Sequence, residues 1–233
     1  MISKQMIDWG ESGCSIREIA AYGERRAAEI GPENVYNFAI GNPSIDPPDC
    51  VHAAVERLLR TVPPTQLHGY TPAPGLPAAR EAVAASLNRR FGTSYAAGDI
   101  YLTCGAAASL SISFHATVNA GDEVIVIAPY FPEYRVWIET AGATCVEVMA
   151  DAKTFQIDVD AVAAAITERT KAVIINSPNN PVGSVYAEQN LRDLAAALAA
   201  TEERLGTQIY LVADEPYREI TYGAEVPWVP AIY

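Results

Sequence analysis

Long apolar runs are missing from this 233-residue sequence: none reaches the roughly 18 residues a bilayer span needs, and the opening MISKQMIDWGESG has no apolar signal core. Neither a membrane protein nor a secreted one is expected. Basic residues are scarce as well. Sixteen Lys and Arg stand against 28 Asp and Glu, a formal net charge of -12, so the clustered cations of a nucleic-acid groove are not available. Cys14, Cys50, Cys104 and Cys145 form no C-x-x-C pair, which argues against a zinc site or a disulfide framework and fits a reducing cytoplasm. His52, His68 and His115 share no ligand spacing, so no metal is expected.

What is present is a globular composition, with 50% hydrophobic and 19% charged residues. In the first part, Ile16 to Ile30 carries Ile16, Ile19, Ala20, Ala27 and Ile30 near helical spacing, and Gly31-Pro32 ends that helix. A Gly- and Pro-rich loop follows, then a predicted helix from Cys50 to Arg60 capped by Asp49, a second Pro-rich loop, and a helix from Leu76 to Phe91. From Asp99 onward the pattern changes. The short apolar runs IYLT, EVIVIA, TCVEVM, KAVIIN and QIYLVAD read as strands, and between them lie helices around Ala106 to Val118, Glu133 to Thr140, Val159 to Ile166 and Glu188 to Ala200. Strand alternating with helix predicts an α/β fold with a mostly parallel sheet covered by helices on both faces.

Ligands of such sheets bind outside the carboxyl ends of the strands, so the residues following each run carry the functional information. After IYLT comes CGAAAS, a glycine at a strand-to-helix turn; this serves ordinary turn chemistry and equally cradles an anion on free N–H groups. After KAVIIN comes SPNNPVG, an ordinary turn whose paired asparagines also set amide groups at the ligand edge. Asp214 follows QIYLVA, either as an N-cap for the DEPYRE turn or as a site carboxylate needing a cationic partner. Phe131, in PYFPEY, is a core aromatic or a stacking surface.

Taken in order, GNPS, HGYTPAPG, LTCGAAASL, AGDEVIVIAPYFPEY, TKAVIINSPNNPVG and DEPYREI resemble the class I and II aminotransferases of the aspartate aminotransferase superfamily, the fold-type I pyridoxal-phosphate enzymes. The resemblance implies pyridoxal 5'-phosphate as cofactor, an amino acid and a 2-oxo acid as substrates, and a homodimer with shared sites. It assigns Asp214 to the pyridinium nitrogen and Asn180 and Tyr217 to the cofactor's phenolic oxygen, with Asn180 also near the substrate carboxylate. Phe131 stacks on the ring, Gly105, Ala106 and Ala107 offer N–H groups to the phosphate, Tyr70 reaches the partner's phosphate, and Gly41 lies beside the substrate carboxylate. Alanines stand where many relatives carry a hydroxyl or a lysine, which leaves the side-chain share of phosphate binding open. Residues 1–48 belong with the small domain of such an enzyme, and 49–233 with its large cofactor domain.

The lysine that forms the internal Schiff base in the family has no counterpart here. Lys4 lies in the polar leader, Lys153 in the DAKT turn, and Lys171 at the start of the AVIIN strand, the wrong end of the sheet. The expectation is a large domain incomplete at its C-terminus and inactive alone. Two further readings use the same residues: a lyase or decarboxylase on this cofactor, and a non-catalytic module for cofactor binding or dimerisation. A Rossmann-type nucleotide binder is disfavoured because the turn after IYLT lacks G-x-G-x-x-G.

Overall fold

The computed structural model describes residues 2–11, 15–39, 41 and 45–233. Cys14 and, except for Gly41, the GNPS segment lie outside the described residues. The chain divides into two compact units, one up to Tyr70 and one from Thr71 to Tyr233.

The first unit is helical, with α1 (Lys4–Glu11), α2 (Ser15–Ile30), α3 (Asp49–Thr61) and the short α4 (Pro64–Leu67). The segment expected as a polar leader therefore contains a helix. In α2 Ala20 is buried, whereas Ile19 and Ile30 are exposed. The cap expected at Asp49 is corrected: Pro48 holds the N-cap position with no side-chain bond, and Asp49 is already inside α3, where its charge faces the helix dipole.

The second unit begins with α5 (Pro77–Phe91), closed by Gly92 in a left-handed conformation, and then α6 (Ala106–Thr117). Strands and helices alternate from there: β1 (Glu123–Ala128), α7 (Glu133–Thr140), β2 (Thr144–Met149), α8 (Val159–Ala165), β3 (Thr170–Asn176), α9 (Glu188–Leu205) and β4 (Tyr210–Asp214). All three strand pairings are parallel, in the order β2-β1-β3-β4. The expected α/β class is what the chain adopts.

Side-chain alternation in the central strands builds a core on each face. Ile125, Ile127, Val173 and Ile175 point to α8 and α9, where Val162, Leu191, Leu194 and Leu198 meet them. Val124, Val126, Ala172 and Ile174 point the other way, onto Leu110 and Phe114 of α6 and Tyr134 and Ile138 of α7. Each buried Leu, Ile or Phe contributes about 1.5–3 kcal/mol. Two such faces leave the central strands dry, which is why VIVIA and AVIIN read as continuous apolar runs.

One expected strand is absent. Ile100–Thr103 is unladdered, and its backbone bonds run from Ile100 N–H to the Ala97 carbonyl at 3.3 Å and from Leu102 N–H to the Pro74 carbonyl at 3.0 Å. A strand exists only with a partner, and none of the four described strands lies alongside IYLT.

A candidate cofactor cleft at the carboxyl ends of the strands

Strand order decides where a ligand can enter. From β1 the chain moves to β2 on one side and then crosses to β3 on the other, so the loops leaving β1 and β3 diverge and open a crevice at their carboxyl ends. A cleft lies there, lined by Ala106 and Ala107 of α6, Phe131 and Tyr134 after β1, Asn176 and Asn180 at β3, and Asp214 and Tyr217 at β4. Its volume is about 110 Å³, less than the roughly 300–1,000 Å³ of sites that engulf a drug-sized ligand.

Asp214 is the electrostatic centre. Its ladder position opposite Asn176 carries it to the end of the sheet, and burial pushes its carboxyl above the usual range, partly offset by a hydrogen bond from the Tyr134 phenol at 2.5 Å. The cationic partner expected for it is not found among the described residues, and no helix follows it to be capped. The carboxylate is held by a neutral donor and remains able to accept a cation.

Asn180 Nδ2 donates to Tyr217 Oη at 3.3 Å, uniting two residues that lie on separate loops. Its neighbour Asn179 is turned away from the ligand edge. Asn179 is buried, its Oδ1 accepts from Val182 N–H at 3.2 Å, and its backbone bonds Ser184 and Gly183, so it shapes the turn instead of lining the cleft. Phe131 packs edge-on against Tyr134 and tilted against Trp137, forming an aromatic wall.

At the cleft's other side Gly105 precedes α6 with φ 96° and ψ 169°, a region essentially restricted to glycine, and a Cβ there would meet nothing within 4 Å. The turn is braced by Thr103, whose hydroxyl donates to the Gly105 carbonyl at 2.9 Å. The first N–H groups of α6 have no helical acceptor and carry the positive end of the dipole. That side suits an anion.

Sequence reasoning passed over Tyr134 and Asn176. Both lie within motifs that carried other expectations, and neither has a local signal of its own; only the sheet brings them to Asp214. Arg135 is engaged with Glu147 and Glu139 and does not line the cleft, and Arg218 pairs with Glu215 while donating to the Val226 and Pro227 carbonyls. Gly41 and Tyr70 belong to the first unit, where Tyr70 is fully exposed. No lysine lines the cleft: Lys4 is in α1, Lys153 is in a turn held by Asp151, and Lys171 is the second residue of β3, towards the opposite end. Among the described residues no cluster of three or more His, Cys, Asp and Glu could hold a metal ion, and no helix is long and apolar enough to cross a membrane.

At its switch-point cleft the open parallel sheet brings together a half-buried carboxylate with no ion pair among the described residues, an aromatic wall and a helix N-terminus. The chain belongs to the class I and II aminotransferases, whose family model matches residues 33–231. This is a family of pyridoxal-phosphate enzymes. The chain is 36% identical over 191 residues to a probable aspartate/prephenate aminotransferase of Aquifex aeolicus, covering 82% of this chain and 46% of that protein. It is 38% identical over 203 residues to the aspartate/prephenate aminotransferase of Thermus thermophilus, covering 86% and 50%. An amino transferase structure from Eubacterium rectale superposes with a TM-score of 0.96 at 48% identity, covering 100% of this chain and 59% of that one. The chain thus spans about half the length of the curated relatives it matches.

Proposed function

We propose that these 233 residues form the pyridoxal-phosphate-binding part of an amino-acid aminotransferase, which moves an amino group from an amino acid to a 2-oxo acid. The observation that carries this reading is Asp214: a half-buried carboxylate with a phenol beside it and no cation among the described residues, facing a cleft whose other side is a helix N-terminus. Bound pyridoxal phosphate supplies an electron-accepting ring that makes removal of the substrate's α-proton feasible.

Asp214 holds a proton on the pyridinium nitrogen, and the gain of a cation relieves its desolvation. Phe131 supports one face of the ring and excludes water from it. Asn180 and Tyr217 hydrogen-bond the phenolic oxygen, with Asn180 also placed for the substrate carboxylate. Gly105, Ala106 and Ala107 donate N–H groups to the phosphate, the backbone share of its recognition. Gly41 beside the substrate carboxylate and Tyr70 reaching a partner subunit's phosphate extend the same reading, which makes the protein a homodimer with residues 1–48 in the small domain.

Since no lysine lines the cleft, covalent attachment of the cofactor and the proton shuttle fall to a lysine outside these residues. The same observation favours a second reading, a cofactor-binding module that does no chemistry.

Titration of the 233-residue protein with pyridoxal phosphate, followed by absorption and equilibrium dialysis, tests the proposal. Saturable binding weakened about tenfold or more in Asp214→Ala is expected, the cost of a charge-assisted hydrogen bond. Absence of saturable uptake, or equal affinity in the variant, overturns it. Borohydride treatment should leave no cofactor on a defined lysine; a specific adduct contradicts the assignment of attachment to a lysine elsewhere.

A further inference from the structure

We infer that Asn176 is a positioning residue that keeps the Asn180 loop in register with Asp214, so that both face one cleft. The inference rests on the cofactor reading for what the cleft binds, and on geometry alone for how the cleft is held.

Asn176 ends β3, is 3% exposed, and stands opposite Asp214, which ends β4. Beyond this pair the ladder stops and the two loops have no further strand-to-strand bonds. The Asn176 carboxamide takes over there. Its Nδ2 donates to the Asp214 backbone carbonyl at 2.8 Å, and its Oδ1 accepts from the Asn180 backbone N–H at 2.6 Å. A carboxamide carries the donor and acceptor of a peptide group, so this side chain adds one rung where the backbone can no longer supply it.

The consequence reaches the cleft through two loops. Fixing the Asn180 backbone relative to the Asp214 backbone fixes the Asn180 side chain, which meets Tyr217 at 3.3 Å, against the carboxylate held by Tyr134. Other side chains of this size fail for chemical reasons. Leucine orphans two half-buried backbone groups, and aspartate keeps the acceptor but sets a negative charge against the Asp214 carbonyl.

The test compares wild type with Asn176→Ala and Asn176→Asp in the 233-residue protein. Hydrogen exchange of the Asn180 amide, read without cofactor, should accelerate about tenfold or more in Asn176→Ala, while the amides of Val126 and Ile174 keep their protection. In Asn176→Asp the Asn180 amide should stay protected, since its acceptor remains. Both variants should bind pyridoxal phosphate about tenfold or more weakly, with a shifted absorption maximum. Unchanged Asn180 exchange in Asn176→Ala overturns the inference, and so does faster exchange with unchanged affinity. If the alanine variant does not fold, Asn176→Asp decides, and wild-type affinity in it overturns the inference. Failure of the wild type to take up the cofactor overturns the functional proposal instead, and the exchange measurement then decides the positioning by itself.

Discussion

Tyr134 donates its phenolic proton to Oδ2 of Asp214 at 2.5 Å, although 80 residues separate them and Tyr134 is only 2% exposed. Burial and the adjacent carboxylate both push the phenol's pKa far above its ordinary value, so the proton stays on the tyrosine. Replacing Tyr134 by Phe removes that donor. The cofactor-free protein should lose about 1–3 kcal/mol in urea unfolding, and the Asp214 carboxyl should titrate higher than in the wild type when followed by carbon NMR.

Asp214 itself should trade stability against binding. Its folded pKa is raised above the unfolded value, so the ionised side chain costs stability above the folded pKa, and that cost fades as pH falls through it. Asp214→Asn keeps an acceptor for Tyr134 without the charge. The cofactor-free variant should be at least as stable as the wild type at neutral pH, with the difference in melting temperature shrinking in acid, while its affinity for pyridoxal phosphate drops. A variant clearly less stable at neutral pH would show that the carboxylate is already compensated.

Gly105→Ala should cost about 1–3 kcal/mol, because the conformation at φ 96° is one that a Cβ opposes whatever the space around it. The open surroundings confine the effect to the backbone, and the turn that aims the first N–H groups of α6 must move. Competition between inorganic phosphate and pyridoxal phosphate should reveal weaker anion binding in the variant.

Glu123 provides a contrast at the far end of the sheet. It is 6% exposed, and although burial raises its pKa, hydrogen bonds from Thr167 at 2.6 Å and from the Arg169 guanidinium bring it below the ordinary value. Its stabilisation is complete above the unfolded pKa and is lost as pH falls through the folded one. Glu123→Gln should therefore cost about 1–2 kcal/mol at pH 7 and little in acid, with cofactor affinity unchanged. Reduced affinity would show that the two ends of the sheet are coupled.

IYLT and KAVIIN illustrate what a local pattern can and cannot convey. Both are short apolar runs before a polar turn, yet only KAVIIN pairs on two sides and becomes β3, because strand formation requires neighbours that a run of residues does not specify. The paired asparagines make the same point at the cleft. Asn180 lines it and Asn179 does not, since side-chain direction follows from how the turn is bonded, and those bonds run to Val182, Gly183 and Ser184.

Composition and order by themselves determined the parallel α/β architecture and the chemical kinds of group at the strand ends. Apolar continuity, turn residues and period are properties of neighbours in the chain. The bonds of Tyr134 and Asn176 to Asp214 were decided only by the tertiary structure. They join residues 80 and 38 positions apart, a separation at which sheet order and register, and not local preference, set which groups meet.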